Sequence, residues 1–402
     1  MPTHPRVAII GAGIVGLATA YRLLEQRSDL HLIVFEKEED VGMHQSSHNS
    51  GVLHSGIYYR PGSRKARNCR EGKRQMEAFC QQEGIPYVLS GKVIVATDEQ
   101  ERPILHEIYR RGRANGVPCE RIGPETLRDI EPHVRGLEAI HVPEAGVVDF
   151  QQVCRRLAQR IQEKGAQLAL RHRVHRLEER ASEVLVHTDQ GTFSVDAAIN
   201  CAGLYADVLA RQSGFDPGVQ IVPFRGEYYR LRPEYHYLCR SLIYPVPDPA
   251  FPFLGVHFTR TIHGEVECGP NAVLACAREG YHRTVIRPRE CAETLTYPGF
   301  IRLAGRYWRQ GLRELWRSWN RRAFVASLQK LVPEVQDRMV EPAPAGVRAQ
   351  ALRPDGTLVD DFLVLQGKRT IHVCNAPSPA ATASLNIGGW ITQLAGKTFG
   401  WT

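Results

Sequence analysis

No stretch of the sequence approaches the roughly 20 consecutive apolar residues that a bilayer-spanning helix needs, so a transmembrane anchor is not expected. There is no low-complexity tract and no fixed-period repeat. The ten cysteines form no C-x-x-C pair and join no Cys/His cluster at metal-ligand spacing, so no bound metal is expected. Thiols scattered in this way are expected to be reduced and mostly buried, which fits a cytoplasmic setting. The apolar run Val7–Ile10 begins almost at the first residue, and a secretory or transit peptide is therefore not expected.

What is present is ordinary for a soluble globular protein: 43% hydrophobic and 23% charged residues over 402 positions, enough for two domains or one elaborated one. Lys and Arg number 51 against 43 Asp and Glu, a net charge of +8. That balance suits an anionic substrate, nucleic acid or an anionic membrane surface without choosing among them.

The N-terminus is specific. Val7-Ala8-Ile9-Ile10 reads as a central parallel strand, followed at once by Gly11-Ala-Gly13-Ile-Val-Gly16. Leu17, Ala20, Tyr21 and Leu24 then recur on one face of a helix from Ile14 to about Glu25, and Leu32-Ile33-Val34-Phe35 forms a second strand closed by Glu36. This is a dinucleotide fingerprint in its proper context. Gly11 permits the tight turn, Gly13 lets backbone N–H groups approach a pyrophosphate, and Gly16 lets helix and strand pack closely. Glu36 is placed to hold ribose hydroxyls. No second G-x-G-x-x-G occurs, so one dinucleotide is expected.

Downstream, a small polar loop spans His44–Tyr59, and helices are expected over about Ser63–Glu83, near Glu99–Asn115 and after Asp149. Gly91-Lys-Val-Ile-Val-Ala96 reads as a strand, and residues 184–186 and 193–195 as a hairpin. From about Asp216 to Pro344 come broken strands rich in Pro and aromatic residues. A strand at Thr370–Val373 and a helix from about Ala380 to Lys397 complete the chain.

Two features favour FAD as the dinucleotide. Ile199-Asn-Cys-Ala-Gly203 resembles a strand ending in a glycine beneath a flavin nucleotide. Asn375-Ala-Pro-Ser-Pro-Ala380-Ala381-Thr382 leads into the last helix, whose N-terminal dipole suits a negatively charged reduced flavin. With Ser47-His-Asn49-Ser50-Gly51-Val-Leu-His54 and Val222-Pro-Phe-Arg225-Gly226, these stretches resemble the D-amino-acid-oxidase/glycerol-3-phosphate-dehydrogenase superfamily. More closely, Ile243–Asp248, Phe251–Thr259, Gly269–Val273, Ala345–Leu352 and Asn375–Thr382 resemble the L-2-hydroxyglutarate dehydrogenases, also called oxidases.

The resemblance implies an α/β fold. A Rossmann-like FAD-binding domain would be built from residues 1–85, 146–215 and 345–402, and a mixed-sheet α+β substrate domain from 86–145 and 216–344. It implies oxidation of a small dicarboxylate, L-2-hydroxyglutarate, to 2-oxoglutarate, with electrons passed to quinone or dioxygen. The alternative is oxidation of another small 2-hydroxy acid or amino acid. Such chemistry needs a base for the hydroxyl proton and cations for the carboxylates. His54 and His257 are the candidate bases, although either also reads as a packing histidine. His44 and His48 share the loop and are candidate cofactor contacts. Arg348 suits bidentate carboxylate binding; Arg225 and Asn271 are weaker substrate-binding candidates with plain structural alternatives. Ser47, Asn49, Ser50, Gly51, Gly203, Asn375, Ala380, Ala381 and Thr382 are expected at the cofactor.

One segment departs from the resemblance. Arg302, Arg306, Arg309, Arg313 and Arg317 form a stripe on a helix, with Trp308, Leu312, Leu315, Trp316 and Trp319 on the opposite side. This suits a peripheral contact with anionic lipid on the inner face of the cytoplasmic membrane, near a quinone; it equally suits a surface helix packed on its own domain. No nucleic-acid partner is expected.

Overall fold

The computed structural model describes residues 4–248 and 255–401. Part of the Phe251–Thr259 stretch, residues 251–254, lies outside the described residues.

The apolar run at the N-terminus becomes the strand Arg6–Ile10, paired in parallel with His31–Phe35 on one side and Ala197–Asn200 on the other. Gln167–Ala169 and Thr370–Asn375 extend this sheet in parallel, and Leu363–Gln366 closes one edge antiparallel. Val7 and Ile9 face helices Ile14–Gln26, Phe150–Glu163 and Ser384–Phe399, while Ala8 and Ile10 face a small antiparallel sheet through Leu177, Val184, Val186 and Val195. Both faces of the strand are thus covered, and only an uninterrupted apolar run is stable there.

Helix boundaries follow local chemistry. Ser63 accepts a hydrogen bond from the Ala66 N–H (3.2 Å) and starts the helix Arg64–Glu83. Asp149 accepts from the N–H groups of Gln151 and Gln152, starting Phe150–Glu163. The last helix begins at Ser384, later than the sequence suggests. Pro377 and Pro379 lack amide donors, and residues 380–383 form turns.

Among the described residues the second sheet has nine strands. Its long antiparallel pair, Gln220–Leu231 with Val340–Leu352, sets Phe224 opposite Arg348 and Gly226 opposite Gly346. Leu242–Pro245 joins Lys92–Ala96 in parallel and His257–Arg260 antiparallel, so the sheet is mixed, as expected. A short sheet of Val52–Leu53, Gly146–Val148 and Tyr87–Val88 ties the neighbouring segments together.

The basic segment is the helix Pro298–Trp319, interrupted at Tyr307 (φ −114°, ψ 23°). It docks through Gly299, Leu303, Glu314 and Ser318, with Phe300 and Tyr307 partly buried alongside, a third seam that the two-sided sequence pattern did not show. Trp308, Leu312, Leu315, Trp316 and Trp319 remain exposed, with Trp316 at 62% and Trp319 at 76%.

Candidate active site and cofactor cavity

A cavity of about 720 Å³ opens between the two large sheets, within the range of roughly 300–1,000 Å³ usual for ligand sites. One end is built by the glycine-rich turn. Gly11 has φ +101°, and a Cβ there would stand 2.6 Å from the Cys201 carbonyl oxygen. A Cβ on Gly16 would lie 2.0 Å from the Gly11 carbonyl oxygen, so Gly16 serves packing and does not line the cavity. Gly13 does line it and caps the helix Ile14–Gln26 without any side-chain hydrogen bond. The Ile14 N–H donates to Ser46 Oγ (2.9 Å), which fixes the loop across the helix terminus. Glu36 is buried at the end of its strand and accepts from the Ala12 N–H (2.8 Å) and the Glu38 N–H (3.0 Å). A helix N-terminus whose cap residue is a glycine with no capping side chain, at a position where a side chain would intrude, and a carboxylate about 20 residues on together fit FAD. Gly11 and Gly13 would hold its pyrophosphate and Glu36 a ribose.

The other residues expected at the cofactor divide into two groups. Asn49, Ser50, Gly203, Asn375, Ala380, Ala381 and Thr382 line the cavity; Ser47 and Gly51 do not. Ser47 donates to the His44 carbonyl (3.2 Å), and Gly51 takes φ +67° under the Val148 carbonyl. Asn49 shapes its loop by donating to the carbonyls of Gln45 (2.9 Å) and Ser46 (2.8 Å), and Asn375 does the same toward Val359 (3.0 Å) and Asp361 (2.8 Å). Thr382 Oγ1 accepts from the His54 N–H (3.2 Å) and donates to the Val52 carbonyl (3.1 Å), pinning the loop to the turn that precedes the last helix. His48 hydrogen-bonds the His44 carbonyl (3.0 Å) and packs on Tyr281 (4.2 Å between rings), while His44 reaches Glu38 and Glu279.

At the other end His54, His257 and Arg348 line the same cavity. His257 is 5% exposed, and its ring stacks on Tyr244 at 3.9 Å. Its Nδ1 lies 3.0 Å from the Gly255 carbonyl. A carbonyl only accepts, so Nδ1 carries the hydrogen and Nε2 keeps its lone pair in the neutral ring. Burial pushes His257 down to about 3, with Arg348 and Lys92 adding to the effect. His54 is likewise pushed down to about 3, by burial and then by Lys92, His257 and Lys65. Both imidazoles are therefore neutral proton acceptors at neutral pH.

Arg225 and Asn271 are not on the cavity wall. Both hold Glu227: Arg225 donates to Oε1 (3.0 and 3.2 Å), and Asn271 donates to Oε2 (2.9 Å) and accepts from the Glu227 N–H (2.8 Å). Burial opposes ionisation of Glu227, but hydrogen bonds from Arg283, Ser318 and Asn271 prevail and hold its carboxyl below the usual range. The reason is strand alternation. Gly226 and Tyr228 face the cavity, so Arg225 and Glu227 face away.

Sequence reasoning passed over Tyr228, Tyr244 and Lys92. All three lie in strands read as framework, and the one available signal was a lysine opening an otherwise apolar strand.

The chain matches the family described as FAD dependent oxidoreductase over residues 6–394. It is 48% identical over 396 residues to the L-2-hydroxyglutarate dehydrogenase of Indibacter alkaliphilus, covering 98% of this chain and 99% of that one. It is 44% identical to the enzyme of the same name from Escherichia coli strain K12, covering 96% and 92%. To the human mitochondrial L-2-hydroxyglutarate dehydrogenase it is 43% identical, covering 98% and 89%. Among solved structures it is similar to the FAD-bound L-alpha-glycerophosphate oxidase of Mycoplasma pneumoniae, with TM-score 0.80, 22% identity and 100% and 96% of the two chains covered. It also resembles glycine oxidase from Geobacillus kaustophilus, with TM-score 0.72, 18% identity and 98% and 95% covered. At these identities the structures speak for the fold alone.

Proposed function

Because the chain belongs to the L-2-hydroxyglutarate dehydrogenases within the FAD dependent oxidoreductase family, we propose that it oxidises L-2-hydroxyglutarate to 2-oxoglutarate with FAD as cofactor. The observation that carries this reading is the convergence of two neutral imidazoles and Arg348 on one cavity whose other end is a dinucleotide cradle. FAD, when bound, supplies the acceptor for the hydride that leaves the substrate Cα. The protein must take the hydroxyl proton and fix the carboxylates. His257 is suited to the proton, since its Nδ1 is committed to Gly255 and its lone pair lies on Nε2; His54 is the alternative. Arg348 presents a planar fork to a carboxylate. On this reading residues 1–85, 146–215 and 345–402 serve FAD, and 86–145 and 216–344 serve the substrate.

The experiment is anaerobic bleaching of the flavin. L-2-hydroxyglutarate should bleach it much faster than L-lactate or glycerol 3-phosphate, because a missing second carboxylate leaves site cations unpaired. His257→Asn should slow bleaching by about 10²–10⁴-fold with FAD retained, and His54→Asn should do so if His54 is the base. Equal rates for lactate would refute the substrate assignment.

The exposed Trp/Leu face, opposite the Arg stripe on the same helix, supports a membrane-surface acceptor. Among the described residues no helix is long and apolar enough to cross a membrane, so the contact is peripheral. Electrons then pass to a quinone at an anionic lipid surface, with dioxygen as the alternative acceptor.

A further inference from the structure

Lys92 is the least explained charge in the protein. It opens the strand Lys92–Ala96, in which every residue is buried, and is itself 1% exposed. An ammonium group in such a place normally has a carboxylate beside it, because an unpaired buried charge is strongly unfavourable. No Asp or Glu pairs with Lys92 among the described residues; its ammonium lies over two aromatic rings, with the Cys69 thiol and the His54 and His257 imidazoles within electrostatic reach. Nζ stands 4.1 Å from the centre of the Tyr244 ring and 5.3 Å from that of Tyr58. Tyr58 Oη is a second orphan, buried with no hydrogen-bond partner. Tyr244 is on the cavity wall and stacks against His257, so Lys92 lies one ring removed from the cavity. Arg348 enters the same cavity from a different strand, Val340–Leu352. The site therefore has one cation on its wall and another just behind the wall, the latter with no carboxylate partner among the described residues.

We propose that Lys92 is the specificity-determining charge of this site: it favours substrates with a second carboxylate, complementing the carboxylate held at Arg348. This rests on the dicarboxylate reading above and assigns a residue to it. The two rings leave Nζ desolvated, so its field is poorly screened at the cavity wall. A single uncompensated charge at such range changes the binding of an anion by roughly 10- to 30-fold. The arrangement also explains why a lysine stands where a leucine or methionine would pack. The free protein is destabilised by the buried charge, and the second carboxylate of the ligand relieves that destabilisation.

The test uses FAD-loaded enzyme, with Lys92→Met and Lys92→Arg beside wild type. Binding of glutarate and of pentanoate, which share a five-carbon chain and differ in one carboxylate, is followed by perturbation of the flavin spectrum. Lys92→Met should weaken glutarate by roughly 10- to 30-fold and leave pentanoate nearly unchanged, while Lys92→Arg should recover most of the difference. In anaerobic reduction by L-2-hydroxyglutarate the loss should fall on KM, with the saturated rate close to wild type. Without ligand, Lys92→Met should melt at or above the wild-type temperature, and glutarate should raise the melting temperature of wild type more than that of the variant. Equal weakening of glutarate and pentanoate, or no change in either, would overturn the proposal and leave Lys92 a packing residue. If L-2-hydroxyglutarate fails to reduce wild-type flavin while the Lys92-dependent preference for glutarate persists, the substrate assignment falls and the role of Lys92 stands.

Discussion

Arg348 and Arg225 are both guanidinium groups on the long antiparallel pair of the second sheet, and their surroundings separate them completely. Arg348 lines the cavity, whereas Arg225 is committed to Glu227. Arg348→Lys keeps the charge but removes the fork that grips both oxygens of a carboxylate. The expected outcome is a rise in KM of about 10- to 100-fold for the 2-hydroxy acid, the range of one charge-assisted hydrogen bond, with FAD content unchanged. Wild-type steady-state kinetics would return Arg348 to a structural role. At this scale the glycine fingerprint and Glu36 were legible because each meets a backbone constraint that few other residues satisfy. Arg225 and Asn271 were not separable from true cavity residues, since the face a strand turns to the cavity depends on its register with partners far away in sequence. Lys92 was hidden for the same reason: nothing local says that its strand runs behind the tyrosine that stacks on His257.

The helix Pro298–Trp319 is an element whose composition and position disagree with ordinary packing. Pro298 at its start is well suited to a first turn, where no amide donor is needed. The docking seam is small and partly polar: Glu314 accepts from the Ala272 N–H (3.1 Å) and pairs with Arg317 (2.6 Å). The apolar side is left to solvent. The sequence showed the Arg stripe and the Trp/Leu face but not which side would dock, because the seam is carried by Leu303 with partly buried Phe300 and Tyr307, which belong to neither pattern. Trp316→Ala combined with Trp319→Ala should change unfolding free energy by no more than about 0.5 kcal/mol, as for exposed positions generally. The same double variant should lose binding to anionic vesicles in sedimentation assays, and salt should weaken wild-type binding. Neutral vesicles should bind neither protein. Failure of wild type to sediment with any vesicle would remove the lipid surface and favour a soluble acceptor or dioxygen.

Across the whole molecule, the strand order of both sheets lay beyond local pattern. Residues 92–96 meet 242–245, and 6–10 meet 197–200, through pairings that depend on how distant segments cover one another. That arrangement also buries histidines that titrate freely in an unfolded chain. His54 and His257 are pushed down to about 3, and His372 to about 4, in each case chiefly by burial. Their folded values lie below the ordinary 6.5, so the unfolded chain takes up protons first as pH falls. The stability they contribute is complete above about pH 6.5 and is lost progressively down to about pH 3. Glu267, pushed up to about 7 by burial and by Glu265, works in the opposite direction and offsets part of that loss between neutrality and its ordinary value. For His257 alone the loss at pH 5 is about 2 kcal/mol, from 1.4 kcal/mol per pH unit across roughly 1.5 units. His257→Asn keeps a donor for the Gly255 carbonyl and removes the titrating ring. Urea unfolding of the two proteins at about pH 7.5 and pH 5 should therefore show a smaller acid loss in the variant, by roughly 2 kcal/mol. Parallel losses in the two proteins would mean that His257 takes up a proton in the folded state as readily as in the unfolded chain, and its assignment as a neutral proton acceptor would fail with it.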